Sequence, residues 1–118
     1  MFKFFNSSNS QDEIQSEEQA VIVTVVFQSD SKLGDRDDHD MLRQLEGAIT
    51  DILDDTAELD GHEVGEGEAV LYIYGPSAEH IWTKIEHSVR SSKFKSKQVT
   101  LRFGSATDPQ VKSKVIKL

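Results

Sequence analysis

The chain has 118 residues, 36% of them hydrophobic and 29% charged, with a formal net charge of −8 and no cysteine. That length holds one domain with one core, and without cysteine there are no disulfides, thiolate metal sites or thiol nucleophiles. The acidic balance argues against a nucleic-acid partner, whose phosphates call for clustered Lys and Arg, and no apolar run reaches the roughly 20 residues of a membrane span.

Residues 1–19 read as a disordered N-terminal tail. Phe2, Phe4 and Phe5 flank Lys3, and Asn6 to Gln19 surrounds an isolated Ile14 with polar residues, a composition that buries too little surface to order itself. The start lacks the apolar stretch and small-residue cleavage site of a secretory signal, so a cytoplasmic protein is expected. Residues 20–118 then read as a single α+β domain. Ala20-Val-Ile-Val-Thr-Val-Val-Phe27 is a continuous β-branched run, the mark of a central strand covered on both faces. After a polar loop from Gln28 to Gly34, Met41, Leu42, Leu45, Ala48, Ile49, Ile52 and Leu53 recur every three or four residues, as on a helix lying on a core. Asp35 or Asp38 can cap its start. Asp54 and Asp55 follow its negative end, where carboxylates are electrostatically disfavoured, and this marks the acidic patch as a candidate for use.

Ala57 to Val64 and Glu68 to Tyr74 read as two strands. The Val64-Gly-Glu-Gly-Glu68 link between them has the form of a hairpin with a bulge. In the second strand Ala69, Leu71 and Ile73 alternate with Val70, Tyr72 and Tyr74, so both faces are apolar and the strand is interior. Ser77 is the N-cap of a second helix, whose buried stripe is Ile81, Trp82, Ile85 and Val89. Phe94 anchors a basic linker from Ser91 to Lys97. Val99, Leu101 and Phe103 point inward from the next strand. Val111 to Leu118 is a final edge strand guarded by Lys112, Lys114 and Lys117. The order β-α-β-β-α-β, with right-handed crossovers, predicts a ferredoxin-like sandwich with an additional C-terminal strand.

The glycine-rich hairpin is not a phosphate cradle. Such a loop must open a helix, whereas this one opens a strand and carries Glu63, Glu66 and Glu68. The run D-R-D-D-H-D-M-L-R-Q-L-E from Asp35 has acids at positions 1, 3 and 12 of a calcium loop. His39 and Asp40 occupy positions 5 and 6, however, and position 6 requires glycine; the run reads as an acidic helix start. No H-x-H or H-E-x-x-H motif and no G-x-S-x-G setting occurs. His80 and His87 lie seven apart on the second helix, with no evident nucleophile beside them. No catalytic residue, cofactor or metal ligand is therefore expected.

Charge is divided along the chain. Between Asp35 and Glu68 thirteen acids accompany two arginines, and between Lys84 and Leu118 nine bases accompany two acids. The acidic half can face a basic protein partner, or the halves can attract each other within the fold or between the copies of a homodimer. Tyr72 and Tyr74 belong either to the core or to an uncovered sheet face, where tyrosine is a favoured contact residue. The candidate partner-binding set is Asp54, Asp55, Asp60, Glu63 and Glu66 for charge, with Tyr72 and Tyr74 as apolar anchors.

The stretch D-G-H-E-V-G-E-G-E-A-V-L-Y-I-Y-G-P, followed by S-A-E-H-I-W and later V-T-L-R-F-G, resembles a family of small bacterial proteins. Its pattern is D-G-x-E-x-G-x-G-E, L-Y-x-Y-G-P and V-x-L-R-[YF]-G, and the resemblance spans Ala20 to Gly104. It implies fold and carries no activity. In size and charge the chain is also similar to immunity proteins that neutralise toxins. The function expected is a non-enzymatic acidic protein-binding module, an immunity or inhibitor protein in its most concrete form. The alternatives are a small-ligand or metal-responsive domain built on the hairpin carboxylates and His62, and a hydrolase-like enzyme.

Overall fold

A computed structural model describes residues 18–118; most of the expected tail, with its three phenylalanines, lies outside the described residues. The elements are β1 (Gln19–Val26), α1 (Arg36–Ile52), β2 (Glu58–Gly65), β3 (Glu68–Gly75), α2 (Ala78–Ser91), β4 (Ser96–Arg102) and β5 (Ser113–Lys117). The strands form one sheet in the order β2-β3-β1-β4-β5, and every neighbouring pair is antiparallel. The class is α+β, as the alternation of strand and helix patterns implied. No described helix is long and apolar enough to cross a membrane.

Register decides which side of each strand meets the helices. Val21 lies between Ile73 and Leu101, and Val23 between Leu71 and Val99. All are buried, in one cluster with Leu42, Leu45 and Ile49 of α1 and Ile81, Trp82, Ile85 and Val89 of α2. The helices also pack on each other, so both lie on this side of the sheet. β1 is the middle strand, but the two-sided cover expected for it is not found among the described elements. Ile22, Thr24 and Val26 point away from the helices and are only half-buried. β-branched residues fit the pleat of a central strand whether or not its second face is covered, so the run marked position in the sheet rather than cover.

Each helix starts as its sequence dictates. Asp35 is the N-cap of α1 and accepts from the Asp38 amide, while the Asp38 side chain accepts from the Asp35 amide, a reciprocal capping box. Ser77 caps α2 by accepting from the His80 amide. Lys97 closes the other end of α2, its Nζ donating to the Arg90 and Ser92 carbonyls at 2.6 and 2.7 Å. One apolar position departs from its stripe: Ile52, the last residue of α1, is 37% exposed.

The β2–β3 hairpin turns at Glu66 and Gly67, with φ of 52° and 84°. Two positive φ values are the signature of a tight type I′ turn, whose twist suits antiparallel strands. The bulge lies elsewhere, between Leu59 and Gly61, leaving Asp60 unpaired on the edge. The Gly67 amide donates to the Lys32 carbonyl at 2.8 Å, and the Phe27 amide donates to Gly67 at 2.9 Å. These two bonds tie the hairpin tip to the loop before α1.

Candidate functional site

At the opposite end of the hairpin, the link from α1 to β2 meets the last residues of β3 in an open cleft of about 880 Å³. Glu18, Asp54, Asp55, Glu58 and Asp60 line it, with Tyr74 as its aromatic wall. Three local devices bring these groups together. Asp54 folds its own loop, accepting from the Thr56 amide at 2.9 Å and hydroxyl at 2.5 Å. Gly75 lets that loop approach, since a Cβ there would sit 2.9 Å from the Thr56 carbonyl oxygen. The bulge in β2 leaves Asp60 on the exposed edge.

The cleft carries an excess of negative charge. Only Asp54 has basic side chains beside it among the described residues: Lys84 Nζ at 3.2 Å and His80 Nε2 at 3.8 Å, both from α2. The Thr56 hydroxyl and amide, then Lys84, hold the Asp54 carboxyl well below the usual carboxylate range. Among the described residues no ion pair reaches Glu18, Asp55, Glu58 or Asp60. Because Thr56 is the leading cause, Lys84→Met is expected to move the Asp54 pKa upward yet leave it below the ordinary value. A carboxyl-carbon NMR titration reads this directly, and a return to the ordinary value would assign the effect to Lys84 instead.

The other candidate residues are distributed differently. Tyr72 and Tyr74 occupy the sheet face away from the helices, so they are surface rather than core. The Tyr72 hydroxyl donates to Glu63 Oε1 at 2.8 Å, and this bond to a carboxylate, with partial burial, raises the phenol pKa. Arg102 covers Tyr74, its guanidinium carbon 5.9 Å from the ring centroid. Glu66 sits at the hairpin tip, at the far end of β2 from Asp54, and is not part of the cleft. His62, opposite Leu71, lies on the helix side of β2, with Nδ1 2.6 Å from Glu46 Oε2. Glu63 lies on the other side, so the strand's two-residue alternation separates His62 from the hairpin carboxylate beside it.

Most acids of the calcium-like run have structural partners. Asp35 caps α1, Asp38 is buried against backbone amides, and Asp40 pairs with Arg43. His39 Nε2 is 2.6 Å from the Leu33 carbonyl oxygen. Among the described residues no group of three or more His, Asp or Glu is placed to hold a metal ion.

Glu18 and Glu58 belong to the cleft and were missed from sequence. Glu58 carried a weak signal, as the residue that opens β2; Glu18 reads only as one more polar residue of the tail. Fold and site together define a small acidic α+β domain with a carboxylate-lined cleft at one end of its sheet. No family model, curated protein or solved structure matches the chain.

Proposed function

We propose that this chain is a non-enzymatic, cytoplasmic protein-binding module that takes a basic segment of a partner protein into its acidic cleft. An immunity or inhibitor role is the concrete form of that reading. The observation that carries it is the convergence of Glu18, Asp55, Glu58 and Asp60, none of them in an ion pair among the described residues, beside Tyr74 in one open cleft. Clustered like charge raises the local potential, speeds encounter with a basic partner and disfavours acidic ones. A tyrosine wall adds an apolar contact with little conformational freedom to lose.

The fold reading extends to the ferredoxin-like arrangement. Support comes from the strand order β2-β3-β1-β4, with β5 added outside β4, and from two helices on one side. The D-G-x-E-x-G-x-G-E and L-Y-x-Y-G-P motifs support placing the chain beside the small bacterial proteins of that pattern.

The test uses a fluorescent Arg/Lys-rich peptide and anisotropy. Binding is expected at low salt and should weaken as salt rises. The variant Asp55→Asn/Glu58→Gln/Asp60→Asn should lose at least about tenfold in affinity. A control variant, Asp37→Asn/Asp40→Asn on α1, should bind as wild type does. Equal binding by wild type and cleft variant would refute the reading.

A further inference from the structure

The sheet has one side packed on two helices and one side bare of described elements, and the bare side has a definite charge order. Glu58, Glu63 and Glu68 face outward from β2 and β3 and Lys117 from β5, with Ile22, Thr24 and Val26 of β1 between them, while Arg102 of β4 reaches across Ala20 to the Tyr74 ring. The face is therefore acidic along the β2–β3 rim and basic at Lys117 on the β5 rim, and the side chains of the middle strand between them are uncharged. Such a surface is complementary to itself. We propose that it is the interface of a homodimer, in which a second copy of this chain lies face to face across a two-fold axis parallel to β1. This proposal does not rest on the cleft reading.

Charge selects that axis. Rotation about a line along β1 exchanges left and right, setting β2 over β5 and β3 over β4 of the second copy. Rotation about a line across the strands would set acidic rim on acidic rim, a repulsive arrangement. With the favoured axis each row of the register meets its own reverse. One row reads Glu63, Val70, Thr24, Gln98, Lys117. Glu63 then faces Lys117 of the second copy, and the contact is made twice. The next row reads Gly61, Tyr72, Ile22, Thr100, Val115. Ile22 meets Ile22, and Val115, 53% exposed in one chain, settles over Gly61. That glycine has no heavy atom within 4 Å of where its Cβ would be, so there is space for the valine. Aligned sheets cross at about 30°, which shifts the rim contacts by a residue or so and leaves the centre in place.

Area bounds the interface. Five strands about 4.8 Å apart, each contributing about seven residues of about 3.3 Å, give a face of about 500 Å². Two copies bury about 1,000 Å², the lower bound for a specific interface, so association in the micromolar range is expected.

Sedimentation equilibrium of the full chain, from low micromolar to submillimolar concentration, tests this. A monomer–dimer equilibrium is expected, and Thr24→Glu, which opposes two carboxylates at the axis, should abolish it. Glu63→Lys alone and Lys117→Glu alone should each weaken the dimer about tenfold, since each creates two like-charge contacts. The double variant should return to within about threefold of wild type, the signature of a direct pair. Both residues are exposed in the single chain, so the variants keep their fold, which circular dichroism checks. A chain that stays monomeric throughout, or a double variant no stronger than the singles, overturns the proposal. NMR contacts from Phe2, Phe4 or Phe5 to Ile22 in such a monomer would assign the face to the chain's own first residues.

Discussion

Asp38→Ala is expected to lower the stability of the fold by about 2–4 kcal/mol, far more than alanine at any other acidic position of the α1 start. Asp38 is 1% exposed and is the buried charged residue among those described. Its carboxylate accepts from the Gln28 amide at 3.0 Å and the Asp35 amide at 2.9 Å, and also from the Ser29 hydroxyl. Alanine would leave those amides without acceptors, and a partly buried donor that loses its partner bears its full desolvation cost. The damage should extend beyond α1, because the same loop holds the hairpin tip through Lys32 and Gly67. Urea unfolding measures the difference. Asp38→Asn, which keeps one acceptor oxygen, should fall between alanine and wild type. A cost below about 1 kcal/mol for alanine would mean that water replaces the carboxylate and that the site is not closed.

The same residue predicts an acid limb. Burial pushes the Asp38 carboxyl up, but the Ser29 hydroxyl and the amides of Asp35, Gln28 and Ser29 together outweigh it, so the folded pKa lies below the ordinary value. A depressed folded pKa gives stability that is fully present above the unfolded value of about 3.9 and is lost as pH falls through the folded one. The stability of Asp38→Asn should therefore decline less steeply with acid than that of wild type.

The Asp38 role shows why part of this chain was legible and part was not. Val99 and Leu101 alternate with polar neighbours, and Ile81, Ile85 and Val89 recur at helical spacing, so sequence alone assigned them to the core. Asp35 and Asp38 were equivalent candidates for one cap, and the fold uses both. That one of them is buried could not be read from a run of four acids in six residues, because burial depends on where Gln28 and Ser29 return after β1. Ile52 fits the α1 stripe yet is exposed at the last position of the helix, although Ile49 three residues before it is fully buried.

For the candidate site the limit was of another kind. Alternation along β3 fixes Leu71 and Tyr72 on opposite faces, but both faces are apolar, so the pattern is silent on which one meets the helices. Only the pairing of Val21 with Ile73 and of Val23 with Leu71 decides it, and pairing is a long-range property. The cleft joins Glu18, the Asp54 loop and Tyr74 from three separate segments, each unremarkable in sequence. Glu66 belongs to the acidic stretch by composition, yet it lies at the other end of a strand of 8 residues, and proximity in sequence overstated its share in the site.

Leu71→Ala and Tyr72→Ala, adjacent substitutions on one strand, should therefore differ sharply. Leu71 is fully buried against β1 and the helices, and its truncation should cost about 3–5 kcal/mol in transfer energy and cavity. Tyr72 is half-buried, with its one polar contact to Glu63 in an exposed position, and its truncation in a monomer should cost about 1 kcal/mol or less. The comparison is made at low protein concentration, where chains are single. Repeated at high concentration, it gains a second reading. If a second copy covers this face, association stabilises the folded state by mass action, and the cost of Tyr72→Ala should grow with concentration while that of Leu71→Ala does not. A Tyr72→Ala cost equal to that of Leu71→Ala in dilute solution would place Tyr72 in the core. The sheet would then have no bare face, and the dimer interface built on it would go as well.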